Sequence, residues 1–73
     1  MIEVRLFATF RVNRKKIDFL ETAGITTAFD IVNYYGIDSE EVAICLINGF
    51  HSKLSDAVKD GDVVALFPPV GGG

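Results

Sequence analysis

The sequence predicts an α+β domain in which one mixed β-sheet packs against one main helix. Three observations lead there. Hydrophobic residues make up 49% of the chain and charged residues 23%, the mix of a folded globular chain. The apolar residues alternate with period two in several short stretches and follow a helical period only once. Finally, 73 residues suffice for one domain and not two, so residues 1–73 share a single thin core.

The elements follow in order. Ile2 to Phe10 reads as a strand, with Ile2, Val4, Leu6, Ala8 and Phe10 on the buried face and Glu3, Arg5, Phe7 and Thr9 on the other. Phe7 is an aromatic on the face that ought to be polar. Arg11 to Lys16 is polar and basic apart from Val12, with Asn13 as the turn residue. A second strand covers about Lys16 to Leu20, making an antiparallel hairpin with the first. The helix spans about Ala28 to Tyr35: Ala28, Ile31, Val32 and Tyr35 stand at i, i+3, i+4 and i+7. Thr27 is the expected N-cap, with Asp30 completing a capping-box-like pair, and Gly36 stands at the C′ position. Asp38 to Glu41 is a loop or a short helical turn.

Val42 to Ile47 is apolar on both faces, which places it inside the sheet. Asn48-Gly49 signals a tight turn, and Phe50 to Leu54 a short returning strand. Asp60-Gly61-Asp62 is a turn, Val63 to Phe67 the last strand, and Pro68-Pro69 its stop. A sheet of about four to five strands results. With the first and last strands parallel at its centre and the helix in the crossover, this is the β-grasp arrangement.

Composition excludes several classes. Seven Lys and Arg against ten Asp and Glu give a net charge of −3, which argues against non-specific nucleic-acid binding. A single cysteine rules out an internal disulfide framework and suits a reducing, cytoplasmic setting. No apolar run approaches the roughly 18 residues of a membrane span, and the N-terminus lacks signal-peptide character.

No catalytic constellation stands out. Cys45 sits mid-strand, where a free thiol behaves as a small hydrophobe. His51 reads as a surface or turn residue, and one His and one Cys are too few for a metal site. Asp60 and Asp62 read as turn chemistry, Glu40 and Glu41 as a solvated face. Arg11, Arg14, Lys15 and Lys16 crowd into six positions; they form either a charged hairpin tip or a patch for an acidic partner protein. Phe7 and Phe67 lie on the two strands expected to pair, on the face away from the helix. They form either an exposed partner surface or, with the register shifted by one residue, part of the core.

The chain ends Val63-Val64-Ala65-Leu66-Phe67-Pro68-Pro69-Val70-Gly71-Gly72-Gly73. A packed strand stops at two stiff prolines, and residues 68–73 form an extended, flexible tail reaching at most about 20 Å. Glycine lacks the Cβ that would clash in a narrow channel, so such a tail can thread into another protein. The plain alternative is an idle frayed end or a cloning remnant.

The ending Asp-Gly-Asp-x-Val-Ala-Leu-Phe-Pro-Pro-Val-x-Gly-Gly resembles that of the small subunit of molybdopterin synthase, the MoaD family of the MoaD/ThiS group. Leu6-Phe7-Ala8-Thr9-Phe10-Arg11 is similar to that family's first strand, and Asn48-Gly49 also fits. The resemblance implies a ubiquitin-like β-grasp sulfur carrier with no bound cofactor or metal. An E1-like adenylyltransferase would use ATP and magnesium to adenylate the terminal carboxylate. A sulfurtransferase, as sulfur donor, would supply the sulfur that turns the adenylate into a thiocarboxylate. The tail would then enter the large subunit of molybdopterin synthase, in a hetero-oligomer, and pass sulfur to a pterin precursor of the molybdenum or tungsten cofactor. By this resemblance Gly73 is the activated residue and Gly72 the second of the family pair. Phe7, Arg11, Phe67, Pro68, Pro69, Val70 and Gly71 would meet the partners, with neither nucleic acid nor membrane involved. Two features depart from the pattern: Arg11 to Lys16 is shorter than the family's usual connection, and His51 stands where an apolar contact is common. A related carrier for thiamine, of the ThiS type, or for another sulfur-containing product, a protein modifier joined through Gly73 to lysines, and a plain binding module are the competing readings. The proline pair favours molybdopterin over thiamine.

Overall fold

The computed structural model describes residues 1–69. Five strands form one sheet in the order β2-β1-β5-β3-β4. They are β1 (Ile2–Leu6), β2 (Ile17–Leu20), β3 (Ile44–Ile47), β4 (Phe50–Ser52) and β5 (Val63–Phe67). The only helix longer than a single turn among the described residues, α1, spans Ala28–Tyr34. β1 and β5 run parallel, Glu3↔Val63 to Leu6↔Leu66, and every other pairing is antiparallel. The central parallel pair and the helix in the crossover make this a β-grasp, ubiquitin-like fold.

The period-two pattern sets which face is buried. Ile2, Val4 and Leu6 of β1, Val64 and Leu66 of β5, Leu20 and Cys45 face Ala28, Ile31 and Val32 of α1 in one core. The helix sequence is rich in β-branched and aromatic residues, which are weak helix formers. A seven-residue helix of this composition is held by its packing and its ends. At the N-terminus the Asp30 carboxylate accepts from the Thr26 and Thr27 N–H groups at 2.9 and 3.1 Å. These bonds, the Thr26 backbone first, lower its pKa. At the C-terminus Gly36, at φ +69°, donates to the Asn33 carbonyl, and Ile37 donates to that of Val32. This is a Schellman motif that ends the helix where the glycine stands. Asn48 and Gly49 take φ +53° and +85° between β3 and β4, the pair of positive values a two-residue hairpin needs.

Three expectations are corrected. The first strand ends at Leu6, not Phe10. Ala8 turns to φ +53° and Ala8–Arg11 forms a 3₁₀ turn, which swings Ala8 out to solvent and folds Phe10 into the core. The alternation suited a strand throughout, but burying the Phe10 ring beneath the end of the sheet wins. The connection to β2 is therefore a long turn rather than a tight hairpin. The expected strand from Val42 starts only at Ile44, because Ser39–Glu41 form a 3₁₀ turn capped by the Asp38 carboxylate. The four basic residues at the hairpin tip are not equivalent free charges either. Arg14 donates to the Tyr35 carbonyl at 3.0 and 3.2 Å and to that of Phe10 at 3.4 Å, tying the tip to the end of α1.

Candidate functional site

The site grows from the register of the central strands. Leu6 lies beside Leu66, so the next residue of each chain, Phe7 and Phe67, is carried to the face away from α1. Their rings stack with centroids 4.2 Å apart and planes 11° from parallel, and both are half-buried. The 3₁₀ turn then returns the chain over this pair. Arg11 Nε donates to the Leu6 carbonyl at 2.8 Å, and its guanidinium carbon lies 5.1 Å from the centre of the Phe7 ring. Phe7 thus contacts both Phe67, ring on ring, and Arg11, through a cation–π contact.

The last strand is fixed right up to this stack. Phe7 N–H donates to the Leu66 carbonyl, and Ala43 N–H donates to that of Phe67 at 2.9 Å. β5 is thus bonded up to Leu66 on one side and to its final residue, Phe67, on the other. Pro68 is half-buried and Pro69 exposed. Having no N–H, neither can continue a ladder. The chain therefore leaves the sheet at one defined point, beside the aromatic stack. Val70, Gly71, Gly72 and Gly73, on which the activation reading falls, lie outside the described residues.

The opposite end of β5 is pinned by a network that the sequence reading had treated as turn chemistry. Gly61, at φ +90°, makes the turn, and the buried Asp62 carboxylate accepts from Asn48 Nδ2 and Lys59 N–H, both at 2.9 Å, and from Lys59 Nζ at 3.3 Å. Asn48 Oδ1 in turn accepts from Val63 N–H at 2.9 Å. These donors, Asn48 foremost, hold the Asp62 carboxyl below its ordinary pKa. The turn before β4 and the turn before β5 are locked together, which sets where β5 begins.

The open face carries more apolar surface than Phe7 and Phe67. Ile44 pairs with Phe67 and Leu46 with Ala65; Ile17 pairs with Arg5 and Phe19 with Glu3. Ile17, Phe19 and Ile44 are 44%, 56% and 37% exposed, too much for core. The sequence reading missed these residues as surface. The available signal was that Val42 to Ile47 is apolar on both faces, while α1 can cover only one. Arg5 and Glu3 interrupt the patch as an ion pair at 2.6 Å. His51 is exposed and pairs with Leu46 on this same face. Cys45 points the opposite way into the core, where burial raises its pKa, so the two cannot form a nucleophile pair. Among the described residues no His, Cys, Asp or Glu cluster could hold a metal ion, and no helix is long and apolar enough to cross a membrane.

This arrangement has relatives. The chain aligns with small archaeal modifier protein SAMP1 of Haloferax volcanii at 27% identity and a TM-score of 0.74, over 99% of this chain and 98% of that one. It aligns with the H. volcanii HVO 2177 protein at 31% identity and a TM-score of 0.72, over 99% and 85%. One chain of the complex of subunits 1 and 2 of the molybdopterin-converting factor from Helicobacter pylori shares the fold, at 24% identity and a TM-score of 0.61 over 99% and 97%. No curated protein sequence matches. The family model described as ThiS matches residues 4–73, from β1 to the final glycine. With a β-grasp core and that end-to-end match, the chain belongs to the ThiS family of sulfur carriers and ubiquitin-like small modifiers.

Proposed function

We propose that the chain carries sulfur on its C-terminal glycine for molybdopterin synthesis. An E1-like enzyme uses ATP and magnesium to join the Gly73 carboxylate to AMP, releasing pyrophosphate. A carboxylate is a poor electrophile until it bears such a leaving group. A sulfurtransferase supplies the sulfur that displaces AMP, leaving a thiocarboxylate, and the tail delivers it to a pterin precursor within the large subunit of molybdopterin synthase. Gly72 is the second glycine of the reactive pair, and Pro68, Pro69, Val70 and Gly71 are the stem that enters the partner. Phe7, Arg11 and Phe67 meet the partner at the base of that stem.

The observation that carries this reading is the take-off point of the tail. β5 is bonded up to Leu66 on one side and up to Phe67 on the other, then stopped by two prolines beside an aromatic stack. A carrier needs a firm body and an extended end that partners can enclose, and it needs no general base of its own. The resemblance of the ending to the small subunit of molybdopterin synthase and the shared fold of the H. pylori factor support the choice of pathway.

A second reading, protein modification through an isopeptide bond, is favoured by the 27% identity to an archaeal modifier protein along nearly the whole chain. One experiment separates them. The chain is co-expressed with its E1-like enzyme and a sulfur source, and its intact mass is measured. Exchange of one terminal oxygen for sulfur, abolished by deleting Gly73, supports the carrier. Lysine-linked adducts support the modifier, and an unmodified carboxylate with competent partners refutes both.

A further inference from the structure

Asn48-Gly49 makes the turn between β3 and β4, and the side chain of Asn48 does more than turn the chain. Its main-chain N–H donates to the Val63 carbonyl at 2.8 Å. Its side-chain Oδ1 accepts from Val63 N–H at 2.9 Å, and its Nδ2 donates to Asp62 Oδ1 at 2.9 Å. Both ends of the amide are therefore taken up where β5 begins, so the side chain is fixed in rotation as well as in place. Asn48 and Gly49 are nonetheless exposed, and water reaches them.

An asparagine followed by glycine has a reaction of its own. The Gly49 main-chain nitrogen attacks Cγ of Asn48 and closes a five-membered succinimide. The Cγ–Nδ2 bond breaks, and ammonia leaves with the proton of the Gly49 N–H. Water then opens the ring at either carbonyl, giving aspartate or isoaspartate. Nothing is oxidised or reduced, and water is the sole co-reactant. Glycine favours the attack because no Cβ shields its nitrogen. The attack needs Cγ to swing onto that nitrogen. In the folded chain this movement breaks both amide hydrogen bonds, one of them to the carboxylate of the buried Asp62. Leaving a buried carboxylate short of a donor is costly. In an unfolded chain nothing opposes the swing.

The product cannot rebuild the contact. An aspartate at position 48 can still accept from Val63 N–H, but its second oxygen meets Asp62 Oδ1 where Nδ2 stood. Two like charges then face each other at hydrogen-bond distance. Lys59 Nζ lies 3.3 Å from Asp62 Oδ1 but is exposed to solvent, too weak a partner to offset both. Isoaspartate adds a main-chain carbon to a two-residue turn that sets the pairing of Ile47 with Phe50. Either way the start of β5 loses its tie to the β3–β4 turn.

We infer that Asn48 is a deamidation site gated by folding. The contacts to Asp62 and Val63 protect it, and a chain that has opened there is converted one way into a form that no longer closes. This chemistry resides in the body of the domain and is independent of what the C-terminus carries.

The test follows the mass gained when an NH2 is replaced by OH, in the full chain held in mildly alkaline buffer, both folded and in denaturing guanidinium, with peptide mapping to place the change. Conversion at Asn48 is expected in guanidinium, and in the folded chain it should be at least about tenfold slower. Asp62→Ala frees Nδ2, so under folding conditions it should speed conversion by more than its unfolded fraction, read from denaturant unfolding, accounts for. Equal rates folded and unfolded, conversion only at another asparagine, or an Asp62→Ala rate that merely tracks its unfolded fraction would each overturn the proposal. Where Asp62→Ala fails to fold, a swap decides instead. Asn48→Asp should lower the denaturation midpoint, and adding Asp62→Asn to it should restore most of the loss, since an amide again faces a carboxylate. An Asn48→Asp chain as stable as the wild type, or no recovery in the double variant, would overturn it equally.

Discussion

Replacing Phe67 with alanine tests the assignment of the aromatic stack to the open face. Fully burying a Phe side chain contributes about 1.5–3 kcal/mol, and Phe67 is half-buried, so its burial contributes about 1 kcal/mol. Removing the stack on Phe7, at 4.2 Å and 11°, costs a further 0.5–1.5 kcal/mol or about 1 kcal/mol at the centre of that range. No enclosed cavity forms, because one side of the ring faces solvent. The expected loss is therefore about 2 kcal/mol, below the roughly 3–5 kcal/mol of a core Phe→Ala change. A domain of this size has on the order of 4–11 kcal/mol of total stability, so the variant remains folded. Urea unfolding of the wild type, Phe7→Ala, Phe67→Ala and the double variant gives the cycle directly. The two sites should couple by about 1 kcal/mol with unchanged denaturant slopes. A loss above about 4 kcal/mol would place Phe67 in the core, and a coupling of zero would mean the rings do not stack in solution.

Three further outcomes are expected. Asp62 accepts three bonds as a carboxylate and titrates below its ordinary value. Its stabilising effect is therefore present above the unfolded pKa near 4 and lost as pH falls through the lower folded value. Asp62→Asn should flatten that acid limb when urea midpoints are compared between about pH 2 and 6; an unchanged limb would remove Asp62 from the account. Cys45 is buried with its pKa raised by desolvation, so labelling by a thiol reagent should follow global unfolding, and fast labelling of the native protein would contradict its place in the core. Gly36→Ala should cost about 1 kcal/mol through the left-handed backbone alone, because a Cβ there meets nothing within 4 Å. A melting-temperature loss several times larger would point to a contact that the geometry lacks.

The elements that were legible in the sequence are those whose signals are local. Thr27, Asp30 and Gly36 bracket the helix because capping and the left-handed C′ position depend on a few neighbouring main-chain groups. Asn48-Gly49 gives its turn for the same reason. The misreading at Ala8–Arg11 shows the limit. Alternation alone cannot distinguish a longer strand from a chain that bends at Ala8, since both bury Phe10 and only the small Ala8 side chain changes sides.

By itself, the sequence determined that this is a β-grasp chain with a packed last strand ending at Pro68-Pro69, because period-two burial, caps and proline chemistry act within a few residues. Only the tertiary structure decided what surrounds that ending. The parallel register of β1 and β5 brings Phe7 onto Phe67, and the turn at Ala8 lays Arg11 over the Phe7 ring. Helix α1 covers one face of the sheet and leaves Ile44 and Phe19 open on the other. Those relations join residues up to 60 positions apart, and such distances are set by strand pairing rather than by any local preference of the chain.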